Sequence, residues 1–255
     1  REALEKAGVR QPPFSRDPKA FEGKACIRKP VSGTGSAGVK ALGPDDDKTP
    51  HARPGLYFEG VIDGDQYDYE GVVEDGTPRF LARVFERYVD VNGTFAVHFF
   101  LFNPPIDPAR NAALERCAAD TLAASKVMRG AFHVEMRVDG ASAVPIDFAN
   151  RLGYERFVSF AGGEDFAKAH ANCFYRQKHV LTRETPRALV QYFCWDEEQF
   201  ARARAIRDAH PDRVFDAYME PHVFAGEQCY GMIAFTHNDT DSLLKMTDGL
   251  GIYAP

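Results

Sequence analysis

The feature of this sequence that most constrains its fold is a run of four alternating segments. Apolar side chains recur at every second position, a period typical of β-strands, in residues 56–62, 67–73, 80–89 and 94–102. Turn pairs such as Asp63-Gly64 and Asn92-Gly93 separate these segments, and such pairs favour tight hairpins. The sequence therefore predicts an antiparallel meander over this region.

The rest of the chain mixes helical and strand patterns. Asp107-Pro108 begins a helix, because aspartate caps free amide groups and proline fits the first turn. This helix is predicted to run to Arg129-Gly130, where a glycine ends it. Strands then follow at 131–138, 143–149, 187–194 and 228–235, with helices at 163–174, 196–209 and 239–248. Runs of strands joined by occasional helices favour the α+β class.

Composition excludes several function classes. The 255 residues suffice for one large domain or two small ones. Lysine and arginine total 31 against 37 aspartates and glutamates, and an acidic chain is poorly suited to nucleic acid or anionic membranes. No segment has the roughly 18 apolar residues of a membrane-spanning helix. The charged segment REALEK at 1–6 has no apolar core, so we do not expect it to be a signal peptide, and the five cysteines form no CxxC pair. These features predict a cytoplasmic protein with reduced thiols.

The sharpest motif is a glycine-rich segment, CIRKPVSGTGSAGV at 26–39. Lys29 stands just before its glycine and hydroxyl residues, which are Gly33, Thr34, Gly35, Ser36 and Gly38. Such a loop brings backbone amides close to an anion, and the lysine adds positive charge against a phosphate. The lysine precedes the glycines, so the segment is not a Walker A loop, and it lacks the βαβ unit of a Rossmann fingerprint. From spacing alone, an ordinary flexible loop remains the alternative.

A second motif lies on the strands at 131–138 and 143–149. Alternation places Glu135 on one face with His133 and Arg137, and Asp147 on the matching face of the next strand with Arg151. Two carboxylates directly across a ladder repel each other. A divalent cation such as Mg²⁺, which prefers hard oxygen ligands, would relieve this repulsion. The alternative is a solvated strand face on which the two arginines neutralise the acids.

Together these motifs resemble the ATP-grasp superfamily, and within it the carboxylate–amine ligases that act on amino acids and dipeptides. The resemblance covers nearly the whole chain, in the order AGVRQPP at 7–13, IRKP at 27–30, SGTGSAGV at 32–39, FEGVIDGDQYDYE at 58–70, FHVE at 132–135 and PIDFANRLG at 145–153. It implies an α+β ATP-grasp fold, with a small lid subdomain at 1–55 and a larger antiparallel-sheet catalytic lobe at 56–255. The family's N-terminal α/β domain and its first adenine-side lysine would precede Arg1.

The resemblance also implies how the nucleotide is held. Lys29 would bind the ATP phosphates beneath a lid formed by the glycine loop. Glu59 and the backbone around Val61 would meet the adenine. Gln66 stands where the family usually has an acidic residue that binds the ribose hydroxyls, and an amide can also form hydrogen bonds to them. The segment between Val39 and Gly55 is short for the family, which normally has a helix there.

For the metal and the substrate, the resemblance implies that Glu135 and Asp147 hold Mg²⁺. Arg151 would stabilise charge on the transferring phosphoryl group. Arg137 would either orient the substrate carboxylate or pair with Glu135. The family usually has Glu-x-Asn-x-Arg in the second strand, whereas here Asn150 directly precedes the arginine. Only a β-bulge would bring Asn150 to the same metal.

The implied activity is ligation through an acyl phosphate. ATP phosphorylates a small carboxylate, and an amine then displaces phosphate, so the partners are small-molecule carboxylate and amine substrates, the cofactors are ATP and Mg²⁺, and a homodimer is the default assembly. Two alternatives remain. One is a non-catalytic nucleotide-binding module or partner subunit, suggested by the shifted Asn150. The other is an ATP-grasp carboxylase-type enzyme that activates bicarbonate.

Overall fold

A four-stranded and an eight-stranded antiparallel sheet organise the chain in a computed structural model that describes residues 1–33, 38–92, 94–139, 142–224 and 226–255. Helix α1 (Glu2–Lys6) precedes the smaller sheet. That sheet has the order β1-β4-β2-β3 and consists of β1 (Phe14–Ser15), β2 (Cys26–Pro30), β3 (Lys40–Leu42) and β4 (Leu56–Gly60). It encloses its own small core of Phe21, Cys26, Leu42 and Phe58.

The smaller sheet includes a strand that the sequence assigned to the larger lobe. Strand β4 pairs with β2 from Cys26↔Gly60 to Pro30↔Leu56. We therefore propose that the boundary between lid and catalytic lobe lies at 61–64 instead of at residue 55. Within 39–55, the structure has β3 and a short 3-10 turn at Thr49–His51. The turn stands in the segment where the ATP-grasp family normally has a helix.

The larger sheet contains the predicted meander. It has the order β11-β14-β10-β7-β6-β5-β8-β9. Its strands are β5 (Asp65–Glu74), β6 (Thr77–Val91), β7 (Thr94–Phe102), β8 (Gly130–Asp139), β9 (Ser142–Ala149), β10 (Ala188–Cys194), β11 (Val214–Tyr218) and β14 (Gly231–His237). A separate hairpin joins β12 (His222–Phe224) to β13 (Glu227–Cys229). The meander is confirmed for its last three strands, which are β5 to β7, and the chain is α+β as predicted.

Helices cover both faces of the larger sheet. Helices α2 (Pro108–Ala124), α5 (Glu197–Ala209) and α6 (Thr240–Met246) pack on one face, through side chains such as Leu114, Ala203 and Leu243. Helices α3 (Glu155–Gly162) and α4 (Phe166–Asn172) pack on the other, through Val158 and Phe166. In β5, Tyr67 and Tyr69 point to the α2 side. Because side chains alternate along a strand, Gln66, Asp68 and Glu70 point to the opposite face.

Several elements differ from the sequence predictions, among them one helix end and two short unpredicted elements. Helix α2 ends at Ala124, five residues before the predicted Arg129. Lys126 takes φ +57°, and the amides of Lys126 and Val127 bond back to Ala123 and Leu122. This arrangement is a Schellman cap formed without glycine, so Gly130 instead opens β8. Helix α3 and strand β11 were not predicted; both are short.

Among the described residues, none of the helices combines the length and hydrophobicity that a bilayer crossing requires. All five cysteines are buried free thiols, as the sequence predicts.

Candidate active site

The smaller sheet touches the larger one through Lys29. Lys29 on β2 and Glu59 on β4 share a face of the smaller sheet, and the Lys29 Nζ lies 3.1 Å from Glu59 Oε2. The same ammonium group donates to the carbonyl oxygen of Ile146 at 2.8 Å. Ile146 is the extra residue of a β-bulge, because the pairing of β8 and β9 passes from Glu135↔Asp147 to Met136↔Pro145. Lys29 is thereby held next to Asp147.

Arg1 completes this contact, which no sequence motif predicted. Its Nε forms an ion pair with Glu59. Its two terminal nitrogens donate to the carbonyl oxygens of Pro145, at 2.8 Å, and of Ile146. Glu59 is only 2% exposed, so two cations compensate a buried carboxylate. Arg1 and the β9 carbonyls are 144 and 145 positions apart, and no local pattern marks the contact.

The predicted pair of acids forms. Glu135 lies directly opposite Asp147 in the β8–β9 ladder, and Asp68 of β5 lies opposite Glu135 on its other side. The three side chains form a row across three strands. Asp68 is fully buried and Asp147 is exposed. The face is solvated at Asp147 and Arg151, whereas Glu135 is half-buried and its neighbour Asp68 is fully buried.

The acid cluster consists of Asp68, Glu70, Glu86 and Glu135. The first three are 0%, 0% and 3% exposed. Their positions could have been noticed in the sequence, because residues 66, 68 and 70 are polar and alternate with two tyrosines along β5. On β6, no acidic residue stands two positions from Glu86, so no spacing signal points to it.

Polar side chains hold Glu86 within the acid cluster. Gln66 Nε2 donates to Glu86 Oε2 at 2.8 Å and to Glu135 Oε2 at 3.3 Å. The hydroxyls of Tyr88 and Tyr154 also donate to Glu86, at 2.6 and 3.0 Å. Burial raises the pKa of Glu86, while its closeness to Asp68 and the hydrogen bond from Tyr88 act to lower this pKa. Gln66 therefore joins two acids of the cluster and is itself only 5% exposed.

His133 lies between two acids of the cluster. Its Nδ1 contacts Glu70, and its Nε2 lies 3.1 Å from Glu135 Oε1. Burial acts to lower the pKa of His133, but the charges and hydrogen bonds of Glu70 and Glu135 outweigh it and raise this pKa well above its ordinary value. For Glu135, burial acts to raise the pKa, and His133, Lys29 and Arg151 together lower it. The charges of Glu70 and Glu135 thus favour the protonated form of His133, and His133 favours the ionised form of Glu135.

Asp147 differs from its partner Glu135. Although Asp147 is exposed at the edge strand, loss of hydration beside the surrounding protein raises its pKa, and the charge of Glu135 raises it further. Lys29 opposes both effects. A cation bound between Glu135 and Asp147 would lower the pKa of Asp147, as Lys29 does. The carboxylate oxygens of the two acids are ligands that suit a hard divalent ion.

Asn150 and Arg151 follow the end of β9. Asn150 Nδ2 donates to the carbonyl oxygen of Ala131 at 2.7 Å, at the opposite end of β8 from the turn. Its amide group is therefore engaged four positions along the strand from Glu135, and its role as a metal ligand stays a prediction. Arg151 is exposed, and its Nη1 donates to the carbonyl oxygen of Leu152 at 3.1 Å. Its charge lowers the pKa of Glu135.

The remaining predicted residues lie around this centre. Arg137 donates to the carbonyl oxygen of Gly64 at 2.9 Å and to Gln66 Oε1 at 3.2 Å, so its partner is Gln66 and not Glu135. Val61 is 44% exposed in the link between β4 and β5.

Of the glycine loop, Gly33 and Gly38 lie within the described residues, whereas Thr34, Gly35 and Ser36 lie outside them. Gly33 is exposed. Gly38 has φ +78°, a conformation that suits glycine, and its carbonyl oxygen accepts from Arg28 at 2.9 Å. The loop therefore ends beside β2, the strand that carries Lys29.

A cavity of about 650 Å³ lies away from this centre, between α2 and the segment at 7–10. None of the predicted site residues lines it.

Solved structures share this arrangement of sheets. An L-amino acid ligase from Bacillus licheniformis is 16% identical, with a TM-score of 0.76, over 100% of this chain and 71% of that one. A carboxyaminoimidazole ribonucleotide synthase from Aspergillus clavatus, solved with ATP, is 15% identical with a TM-score of 0.69 (98% and 70% covered). The chain has the ATP-grasp fold.

A third ATP-grasp structure, a phosphoribosylglycinamide synthetase from Anaerococcus prevotii, is 12% identical with a TM-score of 0.62 and covers 98% of this chain and 70% of that one. No protein-family model and no curated protein matches the sequence. The ATP-grasp fold predicted from the order of the motifs is confirmed, and identities this low establish the fold alone.

Proposed function

We propose that this ATP-grasp chain is an ATP-dependent carboxylate–amine ligase that acts on an amino acid or another small carboxylic acid. The observation that carries the proposal is the contact between Lys29 and the Ile146 carbonyl, one residue from Asp147. This contact places Lys29, the lysine predicted to bind phosphate, beside the facing carboxylates of Glu135 and Asp147. A triphosphate between them would meet a cation on one side and a metal-binding pair on the other.

The nucleotide would replace existing partners of these side chains. Phosphate oxygens would take over the Lys29 ammonium from the Ile146 carbonyl, while Glu59 keeps its ion pair with Arg1. Glu59 and the backbone near Val61 would meet the adenine end, and the segment from Gly33 to Gly38 would close over the phosphates. Gln66 is engaged with the acid cluster, so we propose that it orders Glu86 and Glu135 and thereby the neighbouring metal pair.

Glu135 and Asp147 would hold Mg²⁺, which would neutralise phosphate charge when bound. In the proposed reaction, an oxygen of the substrate carboxylate attacks the γ-phosphorus, and the bond to the bridging oxygen of ADP breaks. An amine nitrogen then attacks the acyl carbon, and phosphate leaves. Lys29 and the exposed Arg151 would stabilise the spreading negative charge. Arg137, half-buried beside Gln66, would orient the carboxylate.

The engaged Asn150 amide supports a second candidate, a nucleotide-binding module or partner subunit without turnover. The metal pair then lacks the amide oxygen that the family motif supplies, and Ala149 stands opposite His133 in its place. A carboxylase-type enzyme that activates bicarbonate is the third candidate. It would use the same lysine and acids on a different carboxylate.

ADP release tests all three candidates. The full-length protein is assayed with ATP and Mg²⁺ against pairs of amino acids, single amino acids, and bicarbonate alone. ADP release that requires an amino acid and yields an amide supports the ligase. ADP release with bicarbonate alone supports the carboxylase type, and ATP binding without release supports the non-catalytic module. Sedimentation of the same sample tests the proposed homodimer.

A matched pair of variants tests the metal role. Asp147→Asn should raise the Mg²⁺ concentration needed for half-maximal ADP release, because one of two charged ligands becomes neutral. Asp45→Asn, on an exposed loop, should leave that concentration unchanged. An unaltered Mg²⁺ titration for Asp147→Asn would remove Asp147 from the ligand set.

A further inference from the structure

The acid cluster contains a carboxylate to which none of the described residues donates a hydrogen bond. Asp68 is 0% exposed, and neither of its side-chain oxygens has a hydrogen-bond donor in the described part of the chain. A buried charge left in this state is strongly unfavourable. Burial accordingly raises the pKa of Asp68 well above its ordinary value, and the charge of Glu86 adds to this effect.

The cationic side chains near Asp68 are bound to other partners. His133 pairs with Glu70 and Glu135, and Lys29 pairs with Glu59. Arg137 donates to the Gly64 carbonyl and to Gln66. Over the described residues, no lysine, arginine or histidine forms an ion pair with Asp68 or Glu86. Glu86 is bound only by neutral donors, and Asp68 has no donor at all among the described residues, so no cation of this part of the chain balances either acid.

The geometry favours a cation over a shared proton. One oxygen each from Asp68, Glu86 and Glu135, on three different strands, lie within 4.8 Å of one another. Oxygens on opposite sides of a bound Mg²⁺ or Ca²⁺ are separated by about 4–5 Å. A single proton can join only two carboxylates, and it would leave the second Asp68 oxygen without a partner.

We propose that Asp68, Glu86 and Glu135 form a site for a hard divalent cation on the inner side of Glu135, distinct from the Glu135–Asp147 pair assigned to the nucleotide metal. Glu86 keeps its tyrosine and glutamine donors and still has lone pairs to offer. The cation would hold the Glu135 carboxylate on the side that faces Asp68 and Glu86, also when no nucleotide is bound. This site goes beyond the proposed ligase function and does not require it.

Cation binding to the nucleotide-free protein tests the proposal. The full-length chain is stripped with EDTA, dialysed, and titrated with MgCl₂, CaCl₂ or MnCl₂ by calorimetry and by thermal unfolding. We expect one saturable site and a rise in Tm with at least one of these ions. Absence of saturable binding below about 1 mM would overturn the proposal and leave a shared proton as the neutralising species.

Matched variants locate the site. Asp68→Asn should weaken binding by about tenfold or more and abolish the ion-dependent rise in Tm. Asp147→Asn, on the outer side of Glu135, should keep both. Equal loss in the two variants, or loss in Asp147→Asn alone, would assign the ion to the nucleotide-metal pair and overturn the proposal. Should Asp68→Asn fail to fold, Glu86→Gln replaces it. No nucleotide or amino acid is added, so the result is independent of ligase activity.

Discussion

The Nζ of Lys29 lies 2.8 Å from the carbonyl oxygen of Ile146 and joins the smaller sheet to the strand that carries Asp147. The two residues are 117 positions apart. Glu59 forms an ion pair with this lysine and a second ion pair with Arg1. The lysine that we propose to bind phosphate is thus held by the fold against the proposed metal strand.

Replacing this lysine tests the phosphate role. Lys29→Met keeps the aliphatic stem and removes the charge, and Glu59 retains Arg1 as its partner, so the fold should persist. ADP release should fall by about 10²-fold or more, since the lost charge acts where negative charge develops. Lys40→Met, an exposed lysine on β3, is the control. Normal turnover in Lys29→Met would contradict the assignment.

We expect Arg1 to act by positioning Glu59 and strand β9 relative to each other. Arg1→Lys keeps a positive charge for Glu59 but loses the planar group that reaches the Pro145 and Ile146 carbonyls. We expect kcat for ADP release to fall by about tenfold with a smaller change in the KM for ATP, measured by steady-state kinetics. Lys6→Ala, at the exposed end of α1, should behave as the unmodified chain. Equal kinetics for the two variants would show that Arg1 has no positioning role.

A variant of Asn150 tests whether this residue only stabilises the fold or also binds the metal. Asn150→Ala removes the hydrogen bond to the Ala131 carbonyl, which should cost about 1 kcal/mol of unfolding free energy. If the amide serves only this bond, the Mg²⁺ dependence of ADP release stays unchanged. Denaturant unfolding and a Mg²⁺ titration measure the two effects, with the exposed Asn238→Ala as control. A raised Mg²⁺ requirement would make Asn150 a metal ligand after all.

Gly153 leaves room for the buried acid that binds His133. A Cβ at this position would overlap Oε1 of Glu70 and approach its Cδ to 2.9 Å. Gly153→Ala should therefore displace Glu70 and destabilise the fold by about 1–3 kcal/mol, as measured by urea unfolding. Gly249→Ala is the matched control, because a Cβ there meets nothing within 4 Å. Similar stabilities for the two variants would show that Glu70 moves aside at little cost.

His98 should contribute to acid sensitivity. Burial, and then the charge of Arg87, lower the pKa of His98 below its ordinary value, and its Nε2 lies 3.1 Å from the Tyr192 hydroxyl. The unfolded chain therefore binds the proton more readily, and stability falls as pH drops through the ordinary histidine pKa of about 6.5. His98→Gln cannot titrate and should lose less Tm between pH 7.5 and 5.5, two values about one unit either side of that pKa. Parallel Tm curves would contradict this.

The sequence predicted those parts of the fold and the site that follow from local patterns. Alternation located strands β5 to β7, and Asp107 caps helix α2 by accepting from the amides of Ala109 and Arg110. Alternation together with one turn also predicted that Glu135 and Asp147 face each other. Each of these results depends on neighbours that are close in the chain or joined by a hairpin.

The parts that were not predicted depend on burial or on distant contacts. Asp68 and Glu86 lie inside the protein, although acidic residues are rarely buried without partners. The bulge at Ile146 depends on the pairing register of two strands and not on a residue type. Helix α2 ends at a lysine in a left-handed conformation instead of at the available glycine. The Arg1 contact spans more than half of the chain.

The acceptor that Ile146 offers belongs to the main chain. Substitutions at position 146 therefore leave this oxygen in place, and the type of residue at this position gives no sign of the contact. Any change that inserts or deletes one residue in β9 would instead shift the oxygen to the opposite side of the strand. The docking of the smaller sheet thus depends on strand length more than on side-chain chemistry, and it is most vulnerable to insertions or deletions in β9.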